Sequence, residues 1–250
     1  MTATLTLLGT GTCQLDGRNA SAALIELDGK RLVYDFGRGT AAALAARGLR
    51  QDDIGHVVLS HFHPDHLTDL LPYLQAASWS QIDPRSRDLH IWGPTGLDEQ
   101  IMRLLGLFEV EWLVRRDQFR VQLHEIRHPV DTDAELDIGG QRYLWRELPP
   151  SGNHGLRWSC HGTTVALTGD GYEVEPLIDF LHGVDLAVID AGHLDDNAIV
   201  EVAWRSAVDR LVCSHFYREL DVDALSAAAR GAGWRGELIL GTDGMSFSLD

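Results

Sequence analysis

Ser60-His61-Phe62-His63-Pro64-Asp65-His66 is the stretch from which this chain is read. It follows an apolar strand at residues 56–59 and leads into a helical segment that begins near His66. Three histidines and an aspartate in so short a run are hard to explain as packing, and a solvated, His-rich turn is the plain alternative. In extended backbone His61 and His63 fall on one face, because side chains two apart point the same way. Asp65 and His66 stand where the chain turns into the helix and address a neighbouring point. Imidazole and carboxylate are borderline-hard ligands suited to zinc, so this geometry serves two metal ions a few ångströms apart. The ends of buried strands are also where binding sites concentrate.

A two-metal site needs further ligands from other strand ends, and two candidates stand out. Residues 163–167 are β-branched and apolar and run into Thr168-Gly169-Asp170-Gly171. That puts Asp170 at a strand terminus between glycines that permit close approach, the place for a bridging carboxylate. Residues 210–213 form another apolar run, ending in Ser214-His215-Phe216-Tyr217, so His215 holds the equivalent position later in the chain. A turn aspartate and a hydrogen-bonded core histidine are the plain alternatives for these two.

Around these motifs, short apolar runs alternate with segments whose apolar residues recur every three or four positions. The runs predict strands at 4–8, 22–27, 31–34, 56–59 and 89–92, then at 141–145, 155–159, 163–167, 185–189, 210–213 and 237–240. Helices are predicted at 40–47, 66–78, 95–105, 175–182, 198–207 and 222–231. Asp28-Gly29 and Gly139-Gly140 read as hairpin turns. The pattern is that of an α/β chain with two similar halves, taken as one domain over residues 1–250.

Composition narrows the partners. The chain has 250 residues, with 21 Lys and Arg against 37 Asp and Glu, a formal net charge of −16. Such a surface repels nucleic acid as a bulk polyanion, so no long nucleic acid is expected, and a phosphate substrate must be held locally. The three cysteines, Cys13, Cys160 and Cys213, are too few and scattered for a disulfide framework or a cysteine-based zinc motif. The first ten residues lack the pattern of a signal peptide, and no run approaches the roughly 20 apolar residues of a spanning helix. The expectation is a cytoplasmic protein without a membrane partner.

The run His61-Phe62-His63-Pro64-Asp65-His66 after an apolar strand resembles the signature of the metallo-β-lactamase superfamily, in particular its ribonuclease Z-like branch. The likeness extends along nearly the whole chain. It includes Leu8-Gly9-Thr10-Gly11 with Arg18-Asn19-Ala20-Ser21, Tyr34-Asp35-Phe36-Gly37, Ile91-Trp92-Gly93-Pro94, Gly169-Asp170, residues 211–216 and Thr242-Asp243-Gly244-Met245. The resemblance implies an αββα sandwich, two mixed sheets flanked by helices, with the metals at one edge. It implies that His61 and His63 bind one divalent ion, that Asp65, His66 and His215 bind the other, and that Asp170 bridges them. The ions would be zinc, or else manganese or iron. The first ion needs a third histidine, and there the chain departs from the pattern. Glu147 stands in the usual place, in Glu147-Leu148-Pro149-Pro150-Ser151, and His154 follows a few residues later. His154 is the expected ligand, with Glu147 or an incomplete first site as alternatives.

The function implied is hydrolysis by a hydroxide bridging two metal ions, most simply of a small phosphodiester. Asp65 would take the proton of the attacking water and His193 would give one to the leaving group, a solvent-facing loop histidine being the plain reading of His193. Asp35 would orient a ligand histidine, or else cap a turn. Arg18, Asn19, Ser21, Arg157 and Arg218 are candidates for an anionic substrate group. Hydrolysis of a lactone or thioester, and a non-catalytic metal- or ligand-binding accessory protein, are the rival readings. Ordinary transfer RNA 3′-end processing is disfavoured. Only 15 residues separate His154 from Asp170, which leaves no room for the protruding arm of those enzymes. Leu194-Asp195-Asp196-Asn197 also replaces their His-Ser-Thr motif. A homodimer is expected from the resemblance. His56, His90, His124, His128, His161 and His182 show no pairing pattern, and residues 108–114 read as core, pocket wall or dimer surface.

Overall fold

The structure, a computed structural model, describes residues 2–14, 17–127, 132–149 and 152–250. The first half of the chain builds β1 (Ala3–Gly9), β2 (Ala22–Leu27) and β3 (Lys30–Tyr34), joined antiparallel. It continues into β4 (His56–Val58), β5 (Leu89–Pro94) and β6 (Val121–Ile126), each parallel to its neighbour. The second half repeats the plan. An antiparallel series β7 (Asp133–Ile138), β8 (Gln141–Glu147), β9 (His154–Cys160) and β10 (Thr163–Leu167) precedes the parallel β11 (Leu186–Asp190), β12 (Arg210–Ser214) and β13 (Glu237–Leu240). A last strand, β14 (Ser246–Ser248), returns to the first sheet and pairs antiparallel with β1. Each sheet therefore has seven strands.

Inward-facing side chains of the two sheets form one apolar layer, with Leu5, Ile25, Trp145, Leu156, Val165 and Val212 at its centre. The outer face of the first sheet packs under α1 (Thr40–Ala46), α2 (Pro64–Leu67), α3 (Leu70–Trp79) and α4 (Leu97–Gly106). The outer face of the second packs under α5 (Val174–Leu181), α6 (Asp196–Ser206) and α7 (Val222–Gly231). Where a parallel strand is buried on both faces it is continuously apolar, as in Leu186-Ala187-Val188-Ile189. Removing a side chain such as Leu186 or Val212 from water contributes about 1.5–3 kcal/mol each. The result is the αββα sandwich expected.

Both predicted hairpin turns form, with positive φ at Asp28, Gly29, Gly139 and Gly140. Three strands escape the apolar-run reading. β6 and β7 end their sheets, and in β7 exposed Asp133, Glu135 and Asp137 alternate with Ala134, Leu136 and Ile138, which dilutes the apolar signal. β14 is short and its partner lies at the other end of the sequence. The helix predicted at 66–78 divides into α2 and α3 and starts at Pro64, a residue well suited to a first helical turn. Residues 108–114 split as well: Leu113 and Val114 are core, whereas Phe108 is exposed and Trp112 meets exposed Trp79 at a tilt, with ring centroids 5.8 Å apart. Among the described residues no helix is long and apolar enough to cross a membrane.

Candidate metal centre

The parallel strands of both sheets, together with the start of β9, deliver their loops to one edge of the sandwich. Beyond β4 the chain passes through buried Ser60 and His61 and exposed His63 into α2, which carries Asp65 and buried His66. Asp170 follows β10 and His215 follows β12, both buried. Ligands collect at the carboxyl ends of strands in such sheets because loops converge there. Two of the residues involved take a left-handed backbone to aim inward, Asp35 at φ 59° and His215 at φ 59°. Strain of this kind persists where the surroundings over-determine it.

Asp170 is the hub. Its carboxylate lies 3.5 Å from His61 Nε2, 3.0 Å from His66 Nε2, 3.6 Å from His215 Nε2 and 4.0 Å from His63 Nδ1. Asp65 approaches His215 Nε2 at 3.9 Å. His61 Nε2, His66 Nε2, His215 Nε2 and Asp170 Oδ1 are all buried, and none has an aligned hydrogen-bond partner. Buried polar atoms are almost always satisfied, so four unsatisfied ones converging on one point fit a bound cation. Three overlapping groups, each with its donor atoms within 4.8 Å of one another, could hold ions. They are His61 with His66 and Asp170, Asp65 with His66 and His215, and Asp170 with Asp190, His193 and His215.

Electrostatics favour ligand-competent forms. Burial, with His66 beside it, pushes His61 down to about 3, and burial also lowers His215, so both stand neutral with a free lone pair. Burial would raise Asp170, but the imidazoles around it outweigh that and hold its carboxyl well below the usual range. His66 differs. Burial disfavours its charge, yet Asp35 and Asp170 on either side hold its pKa well above the ordinary value. The two carboxylates therefore favour a positive charge at this point of the cluster.

Residues behind the cluster hold it in place. Asp35 accepts hydrogen bonds from His66 Nδ1 at 2.8 Å, from Ser60 N at 2.8 Å and from Ser60 Oγ at 2.9 Å. Ser60 Oγ in turn lies 2.9 Å from His61 Nδ1. Asp35 thus orients a ligand candidate, one of its two sequence readings. Asn153, which sequence reasoning passed over, is fully engaged around the Asp170 loop. Its Oδ1 accepts from Asp170 N at 2.9 Å, and its Nδ2 donates to Thr168 O and Leu148 O. No pattern in the sequence flags it, because its partners come from two separate segments, one at Leu148 and one at residues 168–170.

His154 opens β9 beside the cluster, its N–H donating to Ser60 O at 3.1 Å. Its ring stacks on Trp145 at 4.7 Å and Nδ1 lies 3.2 Å from Gly152 O. Neither His154 nor His63 joins the three donor groups. Glu147 faces His154 across the β8–β9 ladder and accepts from Gly152 N at 3.1 Å. His193 sits at the mouth, with Nδ1 2.5 Å from Asp190 Oδ2. Tyr172, Tyr217 and His215 surround its ring at 5.0–5.7 Å.

The arginines predicted for substrate anions are engaged with other groups of the chain. Arg18 donates to Thr10 Oγ1 and Gly241 O and lies over Phe216, and Arg157 donates to Phe180 O. Arg218 donates to Leu194 O and pairs with Asp196, and Asn19 Nδ2 donates to Leu8 O. Several histidines read as unpaired are in fact paired: His90 Nδ1 lies 2.9 Å from His124 Nε2, and His161 pairs with Asp250. Cys213 is buried, whereas Cys13 is exposed. His128 lies outside the described residues, as do Pro150 and Ser151 of the Glu147 motif.

Comparison with known proteins agrees with this fold. A family model described as the metallo-beta-lactamase superfamily matches residues 15–215. A ribonuclease Z of Methanopyrus kandleri is 27% identical over 258 residues, covering 89% of this chain and 90% of that one. The metallo-beta-lactamase fold protein YhfI from Bacillus subtilis superposes with a TM-score of 0.78 at 19% identity, over 99% of this chain and 100% of that one. The short form of human tRNase Z superposes with a TM-score of 0.74 at 22% identity, over 99% of both chains.

Proposed function

Because the chain belongs to the metallo-beta-lactamase superfamily, we propose that it is a metal-dependent hydrolase, acting through two divalent ions, zinc above all, on a small anionic phosphodiester. The observation that carries this reading is the convergence of three unpartnered imidazole nitrogens on the Asp170 carboxylate, whose Oδ1 is equally unpartnered. His61, His63 and His154 would hold one ion, Asp65, His66 and His215 the other, and Asp170 both. Bound there, divalent ions would supply Lewis acidity that activates a water near neutral pH and polarises the ester. The chain's own groups do the rest. Asp65, partly exposed in the first turn of α2, accepts the proton of the attacking water. His193, whose pKa the hydrogen bond to Asp190 raises, gives one to the leaving oxygen.

Two features support a small substrate over transfer RNA. The ribonuclease Z relative supports phosphodiester chemistry in itself, but β9 passes into β10 through His161 and Gly162 alone, so no arm projects there. The net charge of −16 supplies no counterion-release contribution to polyanion binding. A second reading, a metal- or ligand-binding accessory protein, is favoured by the His154 ring lying against Trp145 instead of within a donor group.

Metal content per chain, measured together with hydrolysis of bis-p-nitrophenyl phosphate, tests the proposal. Two equivalents with metal-dependent turnover, lost in folded His66→Ala and Asp170→Ala proteins, are the expected result. One equivalent or none, without turnover on phosphodiesters or lactones, would overturn it and favour the accessory reading.

A further inference from the structure

One of the three donor groups draws on two residues that neither ion of the reading above uses as ligands. Asp190 and His193 join Asp170 and His215, each offering one ligand atom, and all of these atoms lie within 4.8 Å of one another. Parallel pairing brings the residues together. β11 ends at Asp190 and β12 at Ser214, and these two are partners in the ladder, so Asp190 stands beside the strand end that carries His215. The chain then folds back through Ala191 and Gly192 to set the His193 ring 5.7 Å from the His215 ring, nearly parallel to it. A Cβ on Gly192 would collide with His215 O and sit 2.6 Å from Tyr217 Cδ2, so this close approach requires glycine.

The four donors suit a divalent cation. Asp170 Oδ1 and His215 Nε2 are 3.6 Å apart, and both are buried without a hydrogen-bond partner. Asp190 is buried too, and its Oδ1 is fixed by the N–H groups of Gly192 and His193 at 2.8 and 3.2 Å. Its Oδ2 is left to the His193 ring, 2.5 Å from Nδ1. Two carboxylates balance the charge of a divalent ion, and four donors from aspartate and histidine match the number and kind that zinc takes. This set shares Asp170 and His215 with the second ion of the reading above, but has Asp190 and His193 in place of Asp65 and His66. A ring nitrogen of His215 serves one ion at a time, so the two sets compete for the same ion.

We propose that Asp170, Asp190, His193 and His215 form an alternative seat for the second metal ion, an off-state of the centre in which His193 is a ligand instead of a proton donor. With the ion held by Asp65 and His66, His193 is free to protonate the leaving group. With the ion held by Asp190 and His193, the imidazole gives its lone pair to the cation, and the proton it carried passes to solvent. The proposal rests on the two-ion reading above, since the seat takes over one of those two ions.

Asp65 belongs to the first set alone and His193 to the second alone, so variants separate them. Full-length wild type, Asp65→Ala and the double variant Asp65→Ala with His193→Ala are titrated with cadmium-113, a spectroscopic stand-in for zinc. Their histidine ring nitrogens, labelled with nitrogen-15, are followed by NMR. Wild type should bind two equivalents. Asp65→Ala should still bind two, with cadmium–nitrogen coupling now seen at the His193 ring. Adding His193→Ala should weaken one equivalent by about ten-fold or more, since a lost ligand costs at least what a lost partner behind a ligand does. Three results overturn the seat and leave the two-ion reading standing: an Asp65→Ala protein that binds a single ion, one that shows no coupling at His193, or one whose affinities His193→Ala leaves unchanged. A wild type that takes up no metal overturns the two-ion reading and the seat together. Asp65→Asn, which keeps the size of the side chain, gives the same comparison with the same outcomes if the alanine protein does not fold.

Discussion

Oδ2 of Asp35 lies 2.8 Å from Nδ1 of His66, and both side chains are wholly shielded from solvent. The same carboxylate also binds Ser60, whose hydroxyl meets His61. One residue at the end of β3 therefore fixes two neighbouring imidazoles of the cluster. Asp35→Asn keeps a side chain tolerant of the left-handed backbone but gives up the charge. It should weaken metal binding by about 10–100-fold with the fold intact, as loss of a carboxylate behind a ligand histidine does. Zinc titration beside a thermal melt checks this, and an unchanged affinity would remove Asp35 from the site.

Gly169 precedes Asp170 with φ at +54°, and a Cβ there would sit 2.3 Å from Asn153 Oδ1 and 2.9 Å from Ser60 Cβ. Gly169→Ala meets both backbone strain of about 1–3 kcal/mol and a collision with the residue that holds Asp170. A lower melting temperature together with reduced metal content is expected. If the alanine protein melts and loads like the wild type, Asn153 does not hold the loop.

His193 should set the basic limb of the pH–rate profile. Its hydrogen bond to Asp190 raises its pKa above the ordinary 6.5, although partial burial opposes the shift. A proton donor must be charged, so the contribution of His193 is full below the raised value and is lost as pH rises through it. Asp190→Asn lowers that value and should move the basic limb to lower pH. His193→Gln should remove the limb and lower kcat by about 10²–10⁴-fold. Profiles of kcat for the three proteins decide the matter, and coincident basic limbs would exclude His193.

His154 and Glu147 face one another across β8 and β9, and only one of them is expected to serve the first ion. Imidazole is the better zinc donor, so His154→Ala should drop the metal content from two equivalents to one, whereas Glu147→Gln should leave it at two. Metal analysis of the dialysed proteins distinguishes them, and the opposite pattern would assign the position to Glu147.

What the sequence discloses is whatever is local or periodic. His61, His63, Asp65 and His66 are legible because they share one strand-to-helix turn, and Asp170 and His215 because each ends an apolar run. The doubled α/β plan is legible because strands buried on both faces are continuously apolar and the helices between them carry a single apolar stripe. Pairing across the chain is not. Asp35 meets His66 from 31 positions away, and Asn153 reaches Asp170 from 17. The donors of Arg18 and Arg218 read as anion sites until Thr10, Gly241, Leu194 and Asp196 are seen to take them. β7 alternates charges with small apolar residues as a sheet edge must, and β14 finds β1 only once the sandwich closes. By itself the sequence determined which chemistry is present and which strand ends carry it, since side-chain type and periodicity are properties of short segments. Tertiary structure alone decided which imidazole each carboxylate holds, because hydrogen bonds act over about 3 Å in space and are indifferent to distance along the chain.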